Sequence, residues 1–135
     1  MKSKVSFRIG SDELDPNVIT TTLGIEADNA HRKGDPNTAL SKKGKLIKYS
    51  PFSTGLWCIE SKENEYAVLD HHIKSLLSLL VPMKAHLIEM QKKGYKMDMF
   101  CGVFTHEACQ PGFLLSPSVM LQLGELGIEL GICIY

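Results

Sequence analysis

Two stretches of the chain carry the same start and stop signals for a short helix. Each begins with a capping residue followed by proline, at Asp15 and at Ser116, and each ends in the tetrapeptide Leu-Gly-Ile-Glu, at 23–26 and 126–129. The capping side chain accepts a hydrogen bond from the first turn, proline suits the first helical position, and glycine adopts the left-handed conformation that ends a helix. We therefore predict two sharply bounded helices. The shared order is consistent with an internal pseudo-duplication or with independent use of the same caps.

Four segments have the composition of β-strands: 4–11, 55–61, 96–107 and 128–135. The first alternates apolar Val5, Phe7 and Ile9 with polar residues, which is typical of a half-buried strand. The third is apolar on both faces, which predicts a central position in a sheet.

The strongest helical pattern begins at Asn64, and Pro82 should interrupt it because its ring clashes with the preceding turn. Its apolar residues recur on one helix face, namely Leu69, Ile73, Leu76, Leu77 and Leu80. A further helix over 83–94 ends at Gly94. Residues 26–54 show little periodicity and are predicted to form a long loop.

The resulting order is β-α-β-α-α-β-α-β within one domain, residues 1–135. This order predicts an α+β fold with a single, roughly four-stranded sheet and its helices on one face. The 15 basic residues equal the 15 acidic residues, which argues against nucleic-acid binding. No apolar run has the length of a signal peptide or a membrane span, and the four cysteines form no CxxC pair. We therefore expect a cytoplasmic protein with no membrane partner.

The sequence shows no arrangement of residues typical of a catalytic site, so we predict no catalytic residues and no cofactor. Whether the protein is an enzyme stays open, and we favour a non-enzymatic function. The segment His106-Glu107-Ala108-Cys109 offers three metal ligands, but no second cluster has ligand spacing. We expect no metal site there.

The polar turn at Arg32, Lys33 and Asp35 is the first candidate binding site. Two adjacent cations could hold a carboxylate or phosphate, and the alternative is a solvated turn. His71 and His72 lie near the start of the long helix, where at most one imidazole can share its apolar face. His72 is a candidate acid or base, and the alternative is a histidine on the helix surface.

Trp57 is the only tryptophan and is the third candidate. A tryptophan usually fills a core. If Trp57 instead lies on the helix-free side of the sheet, it would share that surface with Arg8, Phe100 or Phe104, and Tyr135. An uncovered face with aromatic residues is typical of an interface.

The chain resembles a bacterial family known as domain of unknown function 4279. The resemblance covers nearly the whole chain and is carried by Leu-Gly-Ile-Glu followed by Arg-Lys-Gly-Asp-Pro, by the Gly-Leu-Trp strand, and by the Leu-Ser-Pro helix that leads into a last strand ending in tyrosine. In the family this strand often carries an acidic residue where this chain has Gly131 or Cys133. The resemblance implies no activity; small stand-alone cytoplasmic proteins of this kind include immunity partners of toxins.

Two hypotheses follow. The first is a non-enzymatic protein-binding module, such as a toxin-neutralising immunity protein, that occludes a cognate toxin through the long loop and an exposed sheet face. Self-association through that face is the alternative. The second is a small-molecule or anion-binding domain with enzyme-like features, in which Arg32, Lys33 and Trp57 surround the ligand and His72 transfers protons.

Overall fold

A mixed five-stranded sheet lies at the centre of the computed structural model, which describes residues 1–105 and 112–135. The strands are β1 (Lys2–Ser11), β2 (Asn29–His31), β3 (Asn37–Leu40), β4 (Leu46–Tyr49), β5 (Gly55–Glu60), β6 (Lys96–Phe104) and β7 (Glu129–Ile134). The helices are α1 (Pro16–Leu23), α2 (Leu69–Leu80), α3 (Lys84–Lys92) and α4 (Pro117–Leu126), with a 3₁₀ turn at Val81–Met83. The sheet order is β2-β5-β1-β6-β7, and β3 and β4 form a separate hairpin.

The α+β class is confirmed, but the predicted four-stranded sheet is wrong in detail. β1 pairs antiparallel with β5 and β6, β7 runs parallel to β6, and β2 adds antiparallel to β5 as a fifth strand. The three residues of β2 are too few to show a period in the sequence. They are extended because they pair with β5, where Ala30 lies opposite Trp57.

The helices pack on one face of the sheet, which we call the covered face. Phe7 and Ile9 of β1 are fully buried there, opposite Met99 and Met97 of β6. The apolar residues of all four helices join these strand residues in one core cluster. The alternation predicted for β1 is therefore confirmed, because its apolar side chains point to the helices and its polar ones point away.

Both predicted helix caps are confirmed. Asp15 Oδ1 accepts a hydrogen bond from the Asn17 backbone at 3.0 Å, and Ser116 Oγ accepts one from the Val119 backbone at 3.3 Å. Gly24 and Gly127 end the helices at the same φ of 67°, a conformation that costs other residues free energy. The following strands nevertheless differ, since β2 lies two strands from β1 whereas β7 lies beside β6. The two units therefore share a preceding strand of the same sheet, since β1 pairs with β6, and a capped helix, but they differ in the position of the following strand.

Helix α2 begins at Leu69, not at Asn64 as predicted. The Asn64 side chain instead accepts a hydrogen bond from the Tyr66 backbone at 2.8 Å, which forms a turn before the helix. The predicted interruption at Pro82 is confirmed, because the 3₁₀ turn there separates α2 from α3.

Residues 26–54, predicted to be a loop, contain β2 and the β3–β4 hairpin. Nearly every residue of the hairpin is exposed, so it has no core face and no apolar alternation by which to recognise it. The segment folds back on itself where the His31 and Phe52 rings stack with centroids 3.5 Å apart. In the part of the chain that the structure describes, no helix has the length and apolar character needed to cross a membrane.

Candidate functional site

The face of the sheet opposite the helices carries a mixed aromatic and charged surface, which we call the uncovered face. Arg8, Phe100 and Phe104 lie on it, because they alternate with the buried residues of β1 and β6. Tyr135 follows β7 and stacks on Phe104. Within the described residues, no helix contributes core residues to this face. The sheet therefore presents these side chains outward.

Arg8 is held in one position on the uncovered face. Its guanidinium donates two hydrogen bonds to the Asp98 carboxylate, at 2.8 Å from Nε and 2.6 Å from Nη2. The hydrogen bonds to Asp98 raise the pKa of Arg8. The same guanidinium lies 4.6 Å from the centre of the Phe100 ring, a cation–π distance. Such an ordered arginine over an aromatic ring is a common anchor in protein interfaces.

The aromatic surface continues toward the C-terminus. The Phe104 and Tyr135 rings stack with centroids 5.0 Å apart and planes 14° apart. Tyr135 is placed by its backbone N–H, which donates to the Val103 carbonyl at 2.8 Å. Gly102 lies next to both rings, and a Cβ at this position would contact Phe104 at 3.4 Å. The missing side chain leaves space beside the rings.

A cavity of about 340 Å³ adjoins these rings. It lies beyond Glu60, the last residue of β5 that pairs with β1. Two backbone hydrogen bonds join residues 61–65 to β1: Ser61 N–H donates to the Val5 carbonyl at 2.9 Å, and Ser3 N–H donates to the Glu65 carbonyl at 2.8 Å. The cavity is lined by Ser3, Lys4, Val5, Ser6, Glu60, Ser61, Glu63, Glu65, His72, Phe100, Gly102, Phe104 and Tyr135. We call it the Ser3–His72 cavity.

Two buried polar side chains line this cavity without using all of their hydrogen-bonding atoms. Ser3 and His72 are each 2% exposed. His72 Nδ1 is 2.8 Å from Ser61 Oγ, whereas Ser3 Oγ and His72 Nε2 have no hydrogen-bond partner among the described residues. Unpaired buried polar atoms are uncommon and disfavour the folded state unless something else pairs with them.

Burial lowers the pKa of His72, since desolvation disfavours the imidazolium. Glu63 and the Asn64 backbone oppose this effect to a smaller extent, and His71 adds to it. His72 is therefore a neutral imidazole at neutral pH.

Acidic side chains dominate the charged part of the cavity lining. Glu60, Glu63 and Glu65 stand against the single cation Lys4 among the described lining residues. Glu63 is 3.0 Å from the exposed His71 ring. The carboxylates make the cavity unsuited to an anion.

The predicted clamp at Arg32, Lys33 and Asp35 does not present free cations. Arg32 pairs with Asp15 at 2.8 Å and Lys33 pairs with Asp12 at 3.3 Å. The Asp35 carboxylate accepts the Arg32 backbone N–H at 2.7 Å, which closes the turn. Asp12 and Asp15 precede α1 and are far from Arg32 and Lys33 in the sequence. The spacing of residues within the turn therefore did not reveal these ion pairs. None of the three predicted residues lines the Ser3–His72 cavity.

Trp57 lies in the core and not on the uncovered face. It is fully buried opposite Ile9, and its indole Nε1 donates to Thr20 Oγ1 of α1 at 3.0 Å. The four residues predicted to share a helix-free surface with it do lie together, but Trp57 does not join them. Successive residues of a strand point to opposite faces, and Trp57 points to the same face as its buried partner Ile9.

His72 is the one predicted site residue that lines the cavity. The alternative of a surface position is correct for His71 and wrong for His72. Sequence reasoning missed Ser3, Ser61 and the surrounding glutamates, because they have ordinary surface composition and meet only in the fold. The segment His106-Glu107-Ala108-Cys109 lies outside the described residues; among the described residues, no group of three His, Cys, Asp or Glu side chains is placed to hold a metal ion.

Comparison with known proteins gives one match. A family model described as domain of unknown function (DUF4279) matches residues 1–135. No curated protein and no solved structure matches the chain.

Proposed function

Because the chain belongs to the DUF4279 family, whose description names no activity, we propose a function from the molecular surface. The protein is a cytoplasmic, non-enzymatic binding module that occludes a partner protein, in the manner of a toxin-neutralising immunity protein. The proposal rests on one observation, the ordered arginine and aromatic side chains of the uncovered face. Arginine and aromatic residues are enriched in protein interfaces, where they contribute much of the binding energy.

The uncovered face also has the geometry of a preformed surface. Arg8 is fixed by its two bonds to Asp98, and Tyr135 stacks on Phe104 while 62% exposed. Side chains that are already ordered lose little conformational entropy on binding, which favours affinity. An occluding protein needs such a surface and needs no catalytic group.

Coexpression with the products of neighbouring genes tests this proposal. We expect one of them to copurify in a fixed ratio, and to be toxic to cells unless this protein is present. Arg8→Glu and Tyr135→Ala should each weaken the complex by about tenfold or more, because each removes an anchor of the interface. Leu121→Ser on α4 is the matched control, since Leu121 is 61% exposed but lies on the other side of the molecule.

A complex that tolerates both uncovered-face substitutions would place the interface elsewhere. If no neighbouring product copurifies and none is toxic, the immunity role is wrong. A dimer that Arg8→Glu dissociates would mean that the face binds a second copy of this chain, and light scattering after size-exclusion chromatography distinguishes that result.

A small-molecule-binding domain is the second candidate function, and the Ser3–His72 cavity supports it. The original form of this hypothesis placed an anion at Arg32 and Lys33, but both side chains already pair with acidic residues. The cavity is the better candidate, because it is concave and its lining combines carboxylates with aromatic rings.

A further inference from the structure

We propose that two copies of this chain associate through β7, at the open edge of the sheet, so that their two sheets become one. Strand β7 (Glu129–Ile134) is the last strand in the order β2-β5-β1-β6-β7, and among the described residues it pairs only with β6. Its other side therefore has no strand beside it. This inference goes beyond the proposed function and does not depend on partner binding at the uncovered face.

The backbone of β7 directs hydrogen-bonding groups to that open side. The strand leads into Tyr135, whose N–H donates to the Val103 carbonyl of β6 at 2.8 Å and whose carbonyl accepts the Thr105 N–H at 3.2 Å. The two backbone groups of a strand residue point to the same side, and successive residues alternate between the two sides. The residues that point away from β6 are therefore Leu130, Ile132 and Ile134.

The two edges of the sheet differ in their protection against pairing. Natural edge strands are protected when they are very short or carry lysine or proline. The β2 edge has three residues (Asn29–His31) and is followed directly by Arg32 and Lys33. Strand β7 has six residues, contains neither lysine nor proline, and has a single charge at Glu129. An unprotected edge of this kind needs an extended strand to cover it.

Strand β7 is complementary to itself in an antiparallel arrangement centred on Ile132. In this register Ile132 lies opposite the same residue of the second copy, and Leu130 lies opposite Ile134. Every residue that points away from β6 can then exchange both of its backbone hydrogen bonds with the second copy. The side chains of these residues lie on the covered face, where Ile134 is 50% exposed in the single chain. The pairing would cover it with an apolar neighbour, and such cross-strand pairs are stabilising.

The opposite face and the charge of the chain also favour a second copy. Gly131 lies opposite the exposed Cys133 of the second copy, and its missing side chain leaves room for that thiol. The antiparallel arrangement places the two Glu129 carboxylates at opposite ends of the interface. The net charge of the chain is zero, so two copies experience no repulsion from an overall charge.

Analytical ultracentrifugation of the full chain at a series of concentrations measures the association, and we expect a reversible equilibrium between monomer and dimer. Ile134→Pro removes an N–H that points to the open side, and an edge strand tolerates proline at such a position. It should raise the dissociation constant of the dimer by about tenfold or more, because each dimer loses a backbone hydrogen bond from both copies.

Ile134→Lys tests the same edge without changing the backbone, since lysine is a residue that protects natural edges. It should also raise the dissociation constant. Val18→Lys on α1 is the matched control, because Val18 is 59% exposed and Ile134 is 50% exposed, and it should leave the dissociation constant unchanged. Thermal melts followed by Trp57 fluorescence check that all three variants are folded.

Disulfide cross-linking tests the register. A Cβ at Gly131 would meet no atom within 4 Å, so Gly131→Cys is compatible with the fold. In the proposed register the introduced thiol lies directly opposite Cys133 of the second copy, at a spacing that permits a disulfide. Oxidation with diamide should give a covalent dimer about tenfold faster than in the wild type or in Glu129→Cys, whose thiols are offset along the strands. Mass spectrometry of the linked peptides identifies the joined positions.

Each outcome decides the question. A dimer that both Ile134 variants weaken, and that cross-links fastest in Gly131→Cys, supports the proposal. A chain that is monomeric at every concentration overturns it, as does a dimer that both Ile134 variants leave intact or that only Arg8→Glu dissociates. A chain that pairs through β7 only with a different protein also overturns it. Faster cross-linking in the wild type or in Glu129→Cys overturns the register centred on Ile132. The copurification test does not depend on these results, so the two proposals can fail separately.

Discussion

The two faces of the sheet are built from the same strands but differ in burial. On the covered face, Phe7 and Met99 are fully buried against the helices. On the uncovered face, their neighbours Arg8 and Phe100 contact each other and remain partly exposed. Because successive residues of a strand point to opposite faces, one segment supplies both sets. We therefore expect that substitutions at neighbouring positions of one strand will alter either the core or the candidate binding surface.

The largest contrast between the faces should be in cysteine reactivity. Burial raises the pKa of Cys101 on the covered face to about 12 from an ordinary value of 9.0, whereas Cys133 lies exposed on the uncovered face. The thiolate is the reactive form, so Cys101 should react about a thousandfold more slowly than an ordinary thiol. Iodoacetamide labelling at neutral pH, resolved by residue with mass spectrometry, measures both rates. Similar rates would mean that the covered face is open to solvent.

Replacement of an aromatic ring on each face should sharpen the comparison. We expect Phe7→Ala to lower the free energy of unfolding by about 3–5 kcal/mol, because it leaves a cavity in the core. Phe100→Ala should cost about 1 kcal/mol, since its ring is only partly buried. Urea denaturation followed by Trp57 fluorescence measures both. Equal losses would show that the uncovered face is as important to folding as the covered one.

The hydrogen bond between the Trp57 indole and Thr20 provides a smaller effect. Thr20→Val removes the hydroxyl that accepts the indole N–H and should cost about 1–3 kcal/mol, because the buried donor loses its partner. Thr21→Val is the matched control on the exposed side of α1 and should change the free energy of unfolding by less than about 0.5 kcal/mol. The same urea denaturation compares them; a loss for Thr21→Val as large as for Thr20→Val would argue against the bond.

The smallest effect should appear in acid, at the buried side chain of His72. Burial lowers the pKa of His72 below its ordinary value of 6.5, so the unfolded chain binds a proton more readily than the folded one. Stability should therefore fall as the pH decreases from about 6.5 toward the lowered pKa. His72→Gln should flatten this dependence. His71→Gln should flatten it less, because His71 is only a minor cause of the lowered pKa of His72. Thermal melts across that pH range measure the slopes, and an unchanged slope in His72→Gln would exclude His72 as its source.

Local interactions account for the parts of the fold that could be predicted. The caps at Asp15 and Ser116 bond to residues two and three positions away, and the glycine stops depend on a single backbone angle. These features were correct. The hairpin of β3 and β4 was missed because its side chains are exposed, and apolar alternation arises only where one face of a strand is buried. The start of α2 was misplaced because Asn64 closes a turn instead of capping the helix.

The candidate site depended almost wholly on distant contacts. Arg8 and Asp98 are separated by 90 residues, Trp57 and Thr20 by 37, and Ser61 and His72 by 11. No local pattern marks such pairs in advance. The sequence by itself therefore determined the class of fold, the capped helices and the alternation of β1, since these follow from periodicity and short-range hydrogen bonds. Only the tertiary structure decided that Trp57 faces the helices, that β2 completes the sheet and that His72 meets Ser3 at a cavity, because strand register and sheet order arise from contacts between distant parts of the chain.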